Sequence, residues 1–392
     1  MRAAGNVWMV LVFAIVASSA AAMVAYSVTA ERQERLVVEE MTRDISERAN
    51  RQRALFEDAS RAHIAAQRTF LRRYGALQGQ DVSADFNRLF PLQPDGTHRS
   101  RDDLFEGGAF AFGDDVRGMG AFIPAAAEMT NDRQRMILAA FQTVRQHGEA
   151  LHTRFDNLYF FTPHNDLIIF GPERADRLEF YRREAPADFD FQDESLARVV
   201  APQSNPLGAT ACTALRRLIY VTDGSALTTG CHTPVRVGGR HIGAFGITIA
   251  MGDYLATSVL DTVPHTENMI LTRAGDLIAH RDLVGIDPLT PEAVAAAEAS
   301  ARSGEFAQRI RNDGRQNGAF RTSDGRIVGF ARIDTPGWYF VSVQPDWLAH
   351  SRTSQLAFLV FLFTFLGVLA QSALVAAVVW WQAGQRQAVR TA

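Results

Sequence analysis

The sequence predicts an α+β fold: two consecutive domains on antiparallel central sheets, set on a long N-terminal helix and flanked by two transmembrane helices. Three observations carry this. Two uncharged apolar runs, Val7 to Val28 and Leu356 to Trp381, each meet the roughly 20 residues that a bilayer span requires. After the first run comes a polar segment with no proline or glycine before Gly75, and its apolar residues recur at helical spacing. Strand-like runs separated by turn clusters then appear twice in a similar order.

The span at residues 7–28 is read as an uncleaved anchor. A cleaved signal peptide is the alternative, because the small residues Ala17 to Ala22 resemble a cleavage region. The run stays apolar through Met23, Val24 and Val28 and enters the next helix without a break, which favours the anchor. Two spans place both termini on one side. Arginine counts near the span ends do not settle the orientation. Cys212 and Cys231 both lie between the spans and read as a disulfide in an oxidising compartment, with two buried free thiols as the alternative. This predicts a bacterial inner-membrane protein with residues 29–354 in the periplasm and residues 382–392 as a short cytoplasmic tail.

In residues 29–77, Val38, Met41, Ile45, Ala49, Phe56, Ala59, Ala66 and Phe70 form a narrow apolar stripe. Glu31–Arg35, Glu39–Arg43, Asp44–Arg48 and Glu47–Arg51 add acid-before-base pairs four apart, which support a solvated helix. The stripe predicts packing on this chain's own domain or on a partner helix, and a homodimer through the long helix and the transmembrane helices is expected. The membrane-distal domain is placed at 78–255. It has an irregular start, a helix near Asn131 to His147, and a hairpin of 157–162 with 167–170 around the turn cluster Pro163 to Asp166. A polar stretch from Gly171 to Thr210 follows. Strands are then expected at 218–222, 227–237 and 241–250, with turns at Asp223-Gly224 and Gly238-Gly239. The proximal domain, 262–345, repeats the scheme more briefly. It has a hairpin of 268–272 with 277–280, a helix capped by Thr290 with Pro291 first and Gly304 last, and strands at 318–321, 326–333 and 337–344.

Composition excludes several functions. The net charge is −3, which argues against a nucleic-acid partner. No lysine occurs, which removes the GxxxxGK[ST] phosphate loop, Schiff-base chemistry and the strand lysine of a eukaryotic-type kinase. HExxH, CxxC and GxSxG are all missing. Only Gln382 to Ala392 follow the second span, too few for a kinase or cyclase domain, so no enzyme, cofactor or metal is expected. His232 beside Cys231 is read as a strand-edge histidine, and His164, His241 and His280 as surface or turn residues, because a zinc site needs three or four ligands.

Three stretches resemble a known family. They are CHTPVRVGGRHIGAFGITI from Cys231 to Ile249, ILTRAGDLIAH from Ile270 to His280, and TPGWYFVSV from Thr335 to Val343. They are similar to the strand and hairpin motifs of the double Cache, or tandem PAS-like, sensor regions of bacterial transmembrane receptors. The resemblance covers about Thr29 to Arg352 and is strongest to the input halves of sensor histidine kinases. It implies two tandem PAS-like domains, a small-molecule ligand in the distal one, and a histidine kinase-type output, with a separate kinase or other output protein as the expected partner. A membrane scaffold, or a truncated or split sensor kinase, is the alternative.

The resemblance also implies site residues. Tyr220 and Asp223 match the family's tyrosine and aspartate ahead of the PV strand, and Tyr181, Arg182 and Arg183 fall in the segment that forms the pocket lid. Thr248 stands where many amine- and amino-acid-sensing members carry an aspartate, and the family's Arg–Trp element has no clear counterpart. Tyr159 and Phe161 are added from the residues themselves, because alternate positions of a strand share a face. With Thr248 in place of a carboxylate and arginines in the lid, the expected ligand is anionic or polar.

Overall fold

A computed structural model of the protein describes residues 2–111, 113–125, 128–174, 176–217, 227–249, 258–260, 264–286 and 289–391. The chain divides into two compact units: residues 1–44, 318–329 and 343–392, and residues 45–317 and 330–342.

The second unit begins within helix α1, which runs unbroken from Arg2 to Ala76. From Ile45 onward the predicted stripe is buried at Ile45, Ala49, Phe56, Ala59, Ala66 and Phe70. Residues three and four apart share one helical face, so the stripe forms a single seam. The Phe70 ring lies 4.9 Å from Phe160 and 6.0 Å from Phe245, and Phe56 meets Trp338 edge-on at 5.1 Å. The helix thus packs on its own chain, one of the two packings the sequence allowed.

The larger sheet has eight strands. They are β1 (His98–Arg99), β4 (Met119–Ile123), β5 (Leu158–Phe161), β6 (Leu167–Phe170), β7 (Ala211–Cys212), β8 (Arg216–Arg217), β9 (Leu227–Val237) and β10 (Arg240–Ile249). Their order is β1-β4-β6-β5-β10-β9-β7, with β8 also on β9. A small hairpin of β2 (Ala109–Ala111) and β3 (Asp114–Val116) stands apart. The predicted 157–170 hairpin forms as β5–β6, and Gly238 and Gly239, at φ 58° and 80°, make the tight β9–β10 turn. β4 straddles the end of the stretch expected to be irregular, 78–120, and is fully buried between β1 and β6.

Short helices α2 (Ser83–Leu89) and α3 (Asp103–Glu106) flank these strands, and α4 (Asn131–Leu151) packs on β5 and β6. Thr130 caps α4 by accepting from the Arg133 backbone N–H at 3.2 Å. A Cβ at Gly148 would sit 2.5 Å from Phe170 Cδ1, so glycine is what lets α4 approach β6 this closely. α5 (Ser195–Arg198) lies in the long connection between β6 and β7.

Cys212 and Cys231 face each other across β7 and β9 and form a disulfide. The expected strand at 218–222 and its turn at Asp223-Gly224 lie outside the described residues.

The second sheet contains β11 (Glu267–Leu271), β12 (Leu277–His280), β13 (Asn317–Arg321), β14 (Arg326–Ile333) and β15 (Trp338–Pro345), ordered β12-β11-β15-β14-β13. Its helical segment differs from expectation. Thr290 caps α6 (Pro291–Ala301) as predicted, but Gly304 does not end the segment. Arg302 turns left-handed at φ 56°, and α7 (Ser303–Asp313) continues to a left-handed Gly314. The amphipathic run Phe306, Ala307 and Ile310 buries a second face, which outweighs one glycine in the first turn.

In the first unit, α8 (Asp346–Thr391) contains Phe358–Val378, a 21-residue stretch of mean hydropathy 2.3 with exposed Phe358, Phe363, Leu374 and Val375. Among the described residues it is the stretch long and apolar enough to cross a membrane. Residues 7–28 are helical within α1, but the side chains of the first eleven residues lie outside those described.

Candidate functional site

Strand alternation gives the eight-stranded sheet two unlike faces. Phe160 and Phe245 point to α1, whereas Tyr159, Phe161, Leu167, Ile169, Phe122 and Ala244 form a buried cluster on the other face. The connection after β6 closes over that cluster with Leu178, Tyr181, Ala185, Phe191, Leu196 and Val200. Three of the predicted residues, Tyr159, Phe161 and Tyr181, therefore meet in one place.

The polar centre of this face is a pair that sequence reasoning missed. Tyr159 Oη lies 2.8 Å from His232 Nε2, and both side chains are buried. His232 is no strand-edge residue: β9 is flanked by β10 and β7, and His232 is 0% exposed. Register explains the pairing. Tyr159 stands opposite Gly246, and Gly246 opposite His232, so the three form one row across β5, β10 and β9. A Cβ on Gly246 would lie 2.4 Å from Tyr159 Cε2 and 2.9 Å from His232 Cδ2. Glycine on the middle strand lets the phenol reach across it to the imidazole. The Phe161 ring packs 5.9 Å from His232 and 5.8 Å from Phe191, both edge-on.

Thr248 lies two residues beyond Gly246 on the same face, half-buried, with its backbone N–H donating to Asn157 Oδ1 at 2.9 Å. Tyr220 and Asp223 lie outside the described residues.

Arg182 and Arg183 belong to a π-helical turn, Phe180–Glu184, that sends Tyr181 inward. The Arg182 side chain is fully buried. Its guanidinium meets Asp102 at 2.7 Å, Glu106 at 3.4 Å and Glu179 at 3.7 Å, and sits 4.7 Å above the Phe105 ring. Arg183 is half-exposed and pairs with Asp102 at 2.7 Å and Glu179 at 3.0 Å. The hydrogen bond from Arg183, then that from Arg182, holds the Asp102 carboxyl below its usual range against the opposing effect of burial. Three carboxylates thus take up both guanidinium charges and tie the connecting segment to α3. Nothing in the sequence marked these acids as partners, since Arg182 and Asp102 are 80 residues apart.

His280 is buried at the end of β12, 2.6 Å from Glu267, and takes the turn role of the two expected: its Nδ1 accepts from the Asp282 backbone N–H at 3.3 Å and caps the turn Arg281–Leu283. Among the described residues, no group of three His, Cys, Asp or Glu side chains is arranged to hold a metal.

No protein-family model and no curated protein sequence matches the chain. Solved structures similar to it include ligand-binding domains of chemoreceptors and an extracellular receptor domain. One is the ligand-binding domain of the Pseudomonas fluorescens chemoreceptor CtaA with L-isoleucine, at 15% identity and TM-score 0.37, covering 55% of this chain and 79% of that one. Another is that of the Pseudomonas aeruginosa PAO1 amino acid chemoreceptor PctB with L-Arg, at 15% and 0.34, covering 53% and 80%. A third is the extracellular domain of soHK1S-Z6, which carries a histidine kinase designation, at 14% and 0.40, covering 82% and 98%.

Proposed function

We propose that this chain is the input module of a transmembrane receptor. It binds a small molecule on the aromatic face of the eight-stranded sheet and passes a conformational change to α1, across the inner membrane, and on to a histidine kinase-type or other output protein. One observation carries the reading. The same strands present Tyr159, Phe161 and His232 to a lidded cluster on one face and Phe160, Phe245 and Thr233 to α1 on the other. A ligand that shifts the first face changes the packing of the second, and a receptor needs such an element with two states that the ligand biases. Site residues under this proposal are Tyr159, Phe161, Tyr181, Thr248 and His232, with Tyr220 and Asp223 from the family resemblance and Arg182 and Arg183 as the lid's anchors.

Screening the detergent-solubilised chain by thermal denaturation against small carboxylates, phosphates, amines and amino acids tests this. A ligand-dependent rise in unfolding temperature, lost with Tyr159→Ala, is expected. No response to any of them favours a scaffold.

The proposal places residues 29–354 in the periplasm, between spans at 7–28 and 356–381. The Cys212–Cys231 disulfide supports it, since such bonds persist in oxidising compartments. Chain from cells lysed under an alkylating agent should carry no free thiol, and two alkylated cysteines would overturn the placement. With the cysteines separated by 19 in sequence, substituting both by serine should cost roughly 3 kcal/mol.

A further inference from the structure

Of the arginines around the aromatic cluster, Arg99 has the least of its charge answered. Its side chain is 5% exposed. Nε–H donates to Thr97 Oγ1 at 3.0 Å, and Nη2 donates to Asp95 Oδ2 at 3.1 Å and to the Ala185 carbonyl at 2.6 Å. Nη1 is buried with no acceptor among the described residues. The one carboxylate in reach among the described residues, Asp95, is 42% exposed and already accepts from the Thr97 backbone and hydroxyl. Arg182 also buries one N–H, on Nε, with no acceptor among the described residues, but its charge is met by three carboxylates.

An unanswered guanidinium N–H buried from water is costly. Its position is also informative. Arg99 stands opposite Phe122 in register, and its guanidinium lies 5.1 Å from that ring. Phe122 and Ala185 both belong to the cluster that holds Tyr159, Phe161 and Tyr181. Phe189 packs on Phe122 and Phe180 at 5.8 Å and 5.0 Å, and Phe180 and Phe189 are only partly buried. The charge therefore faces an aromatic region whose outer wall belongs to the connecting segment.

We propose that Arg99 is the anion-binding residue of this site and that its ligand is a monocarboxylate with an apolar body. The proposal deepens the sensor reading above and rests on it. The carboxylate accepts from Nη1, and the apolar body lies among Phe122, Phe180, Phe189 and Tyr181. A monoanion is favoured over a dianion because Arg177, Arg182 and Arg183 are matched by Asp102, Glu106 and Glu179. Because Nη2 of the same guanidinium holds the Ala185 carbonyl, the ligand charge and the connecting segment are read by one side chain.

The test uses the full chain in detergent, with phenylacetate and isovalerate as probes and phenylacetamide and isovaleramide as their uncharged counterparts. The acids should raise the unfolding temperature and bind in calorimetric titration, and the amides should not. Arg99→Gln should weaken acid binding about tenfold to a hundredfold, in line with hydrogen bonds to charged groups. Asp95→Asn, which removes the competing carboxylate, should tighten it. If Arg99→Gln does not fold, the acid–amide contrast and Asp95→Asn decide. Amides that bind as well as acids, or acid binding unchanged by Arg99→Gln, overturn the proposal. Binding of amines or neutral compounds with no response to carboxylates overturns it while leaving the sensor reading standing.

Discussion

Lowering the pH from 7 towards 3 is expected to remove up to about 5 kcal/mol of stability through His63 alone. His63 is fully buried between α1 and β9, with Nδ1 3.0 Å from Thr233 Oγ1, and burial pushes its pKa from 6.5 down to about 3. The folded imidazole therefore stays neutral, while the unfolded chain takes up a proton below about pH 6.5. The stabilisation is complete above that value and is lost as the pH falls towards about 3. Between pH 7 and 5, before most carboxylates titrate, the loss is about 2 kcal/mol. Denaturant unfolding at those two pH values, compared with His63→Gln, measures it. The other depressed histidines, His147 and His241, are present in both proteins and cancel in the difference. Equal pH slopes for the two proteins would show that His63 does not titrate on unfolding.

Removing the Asp166 carboxylate is expected to cost about 3–5 kcal/mol. Asp166 and Arg133 form an ion pair whose side chains are 1% and 5% exposed. Arg133 Nε–H donates to Oδ2 at 3.3 Å, and the Thr162 hydroxyl donates to the same oxygen at 2.8 Å. The pair ties the first turn of α4 to the β5–β6 turn, next to the strand that carries Tyr159 and Phe161. Asp166→Ala leaves a guanidinium buried without its counter-charge, whereas Arg133→Leu combined with Asp166→Leu removes both charges at once. The double variant should recover most of the loss, because a buried pair gains little over apolar residues of similar volume. Chemical denaturation of the single and double variants gives the coupling. Additive single losses would show that the two side chains do not act as a pair.

The elements legible in the sequence were those with a local signature. The stripe from Ile45 to Phe70, the β5–β6 and β9–β10 hairpins and the Thr290 cap each rest on spacing or turn chemistry within a few residues, and each appears as read. β4 escaped because a short strand buried on both faces has no alternation to reveal it.

For the site, the sequence by itself determined that Tyr159 and Phe161 share a face, since the extended backbone of a strand turns alternate side chains to the same side. Only the tertiary structure decided which polar groups meet there. His232 reaches Tyr159 because strand register sets Gly246 between them, and register is fixed by the packing of the whole sheet. The same holds for charge. In sequence, Arg99, Arg182 and Arg183 are alike, each basic beside a polar stretch. The fold gives Arg182 and Arg183 carboxylates from a helix 80 residues away and gives Arg99, among the described residues, a single solvent-exposed one, because ion pairing depends on distance in space and not along the chain.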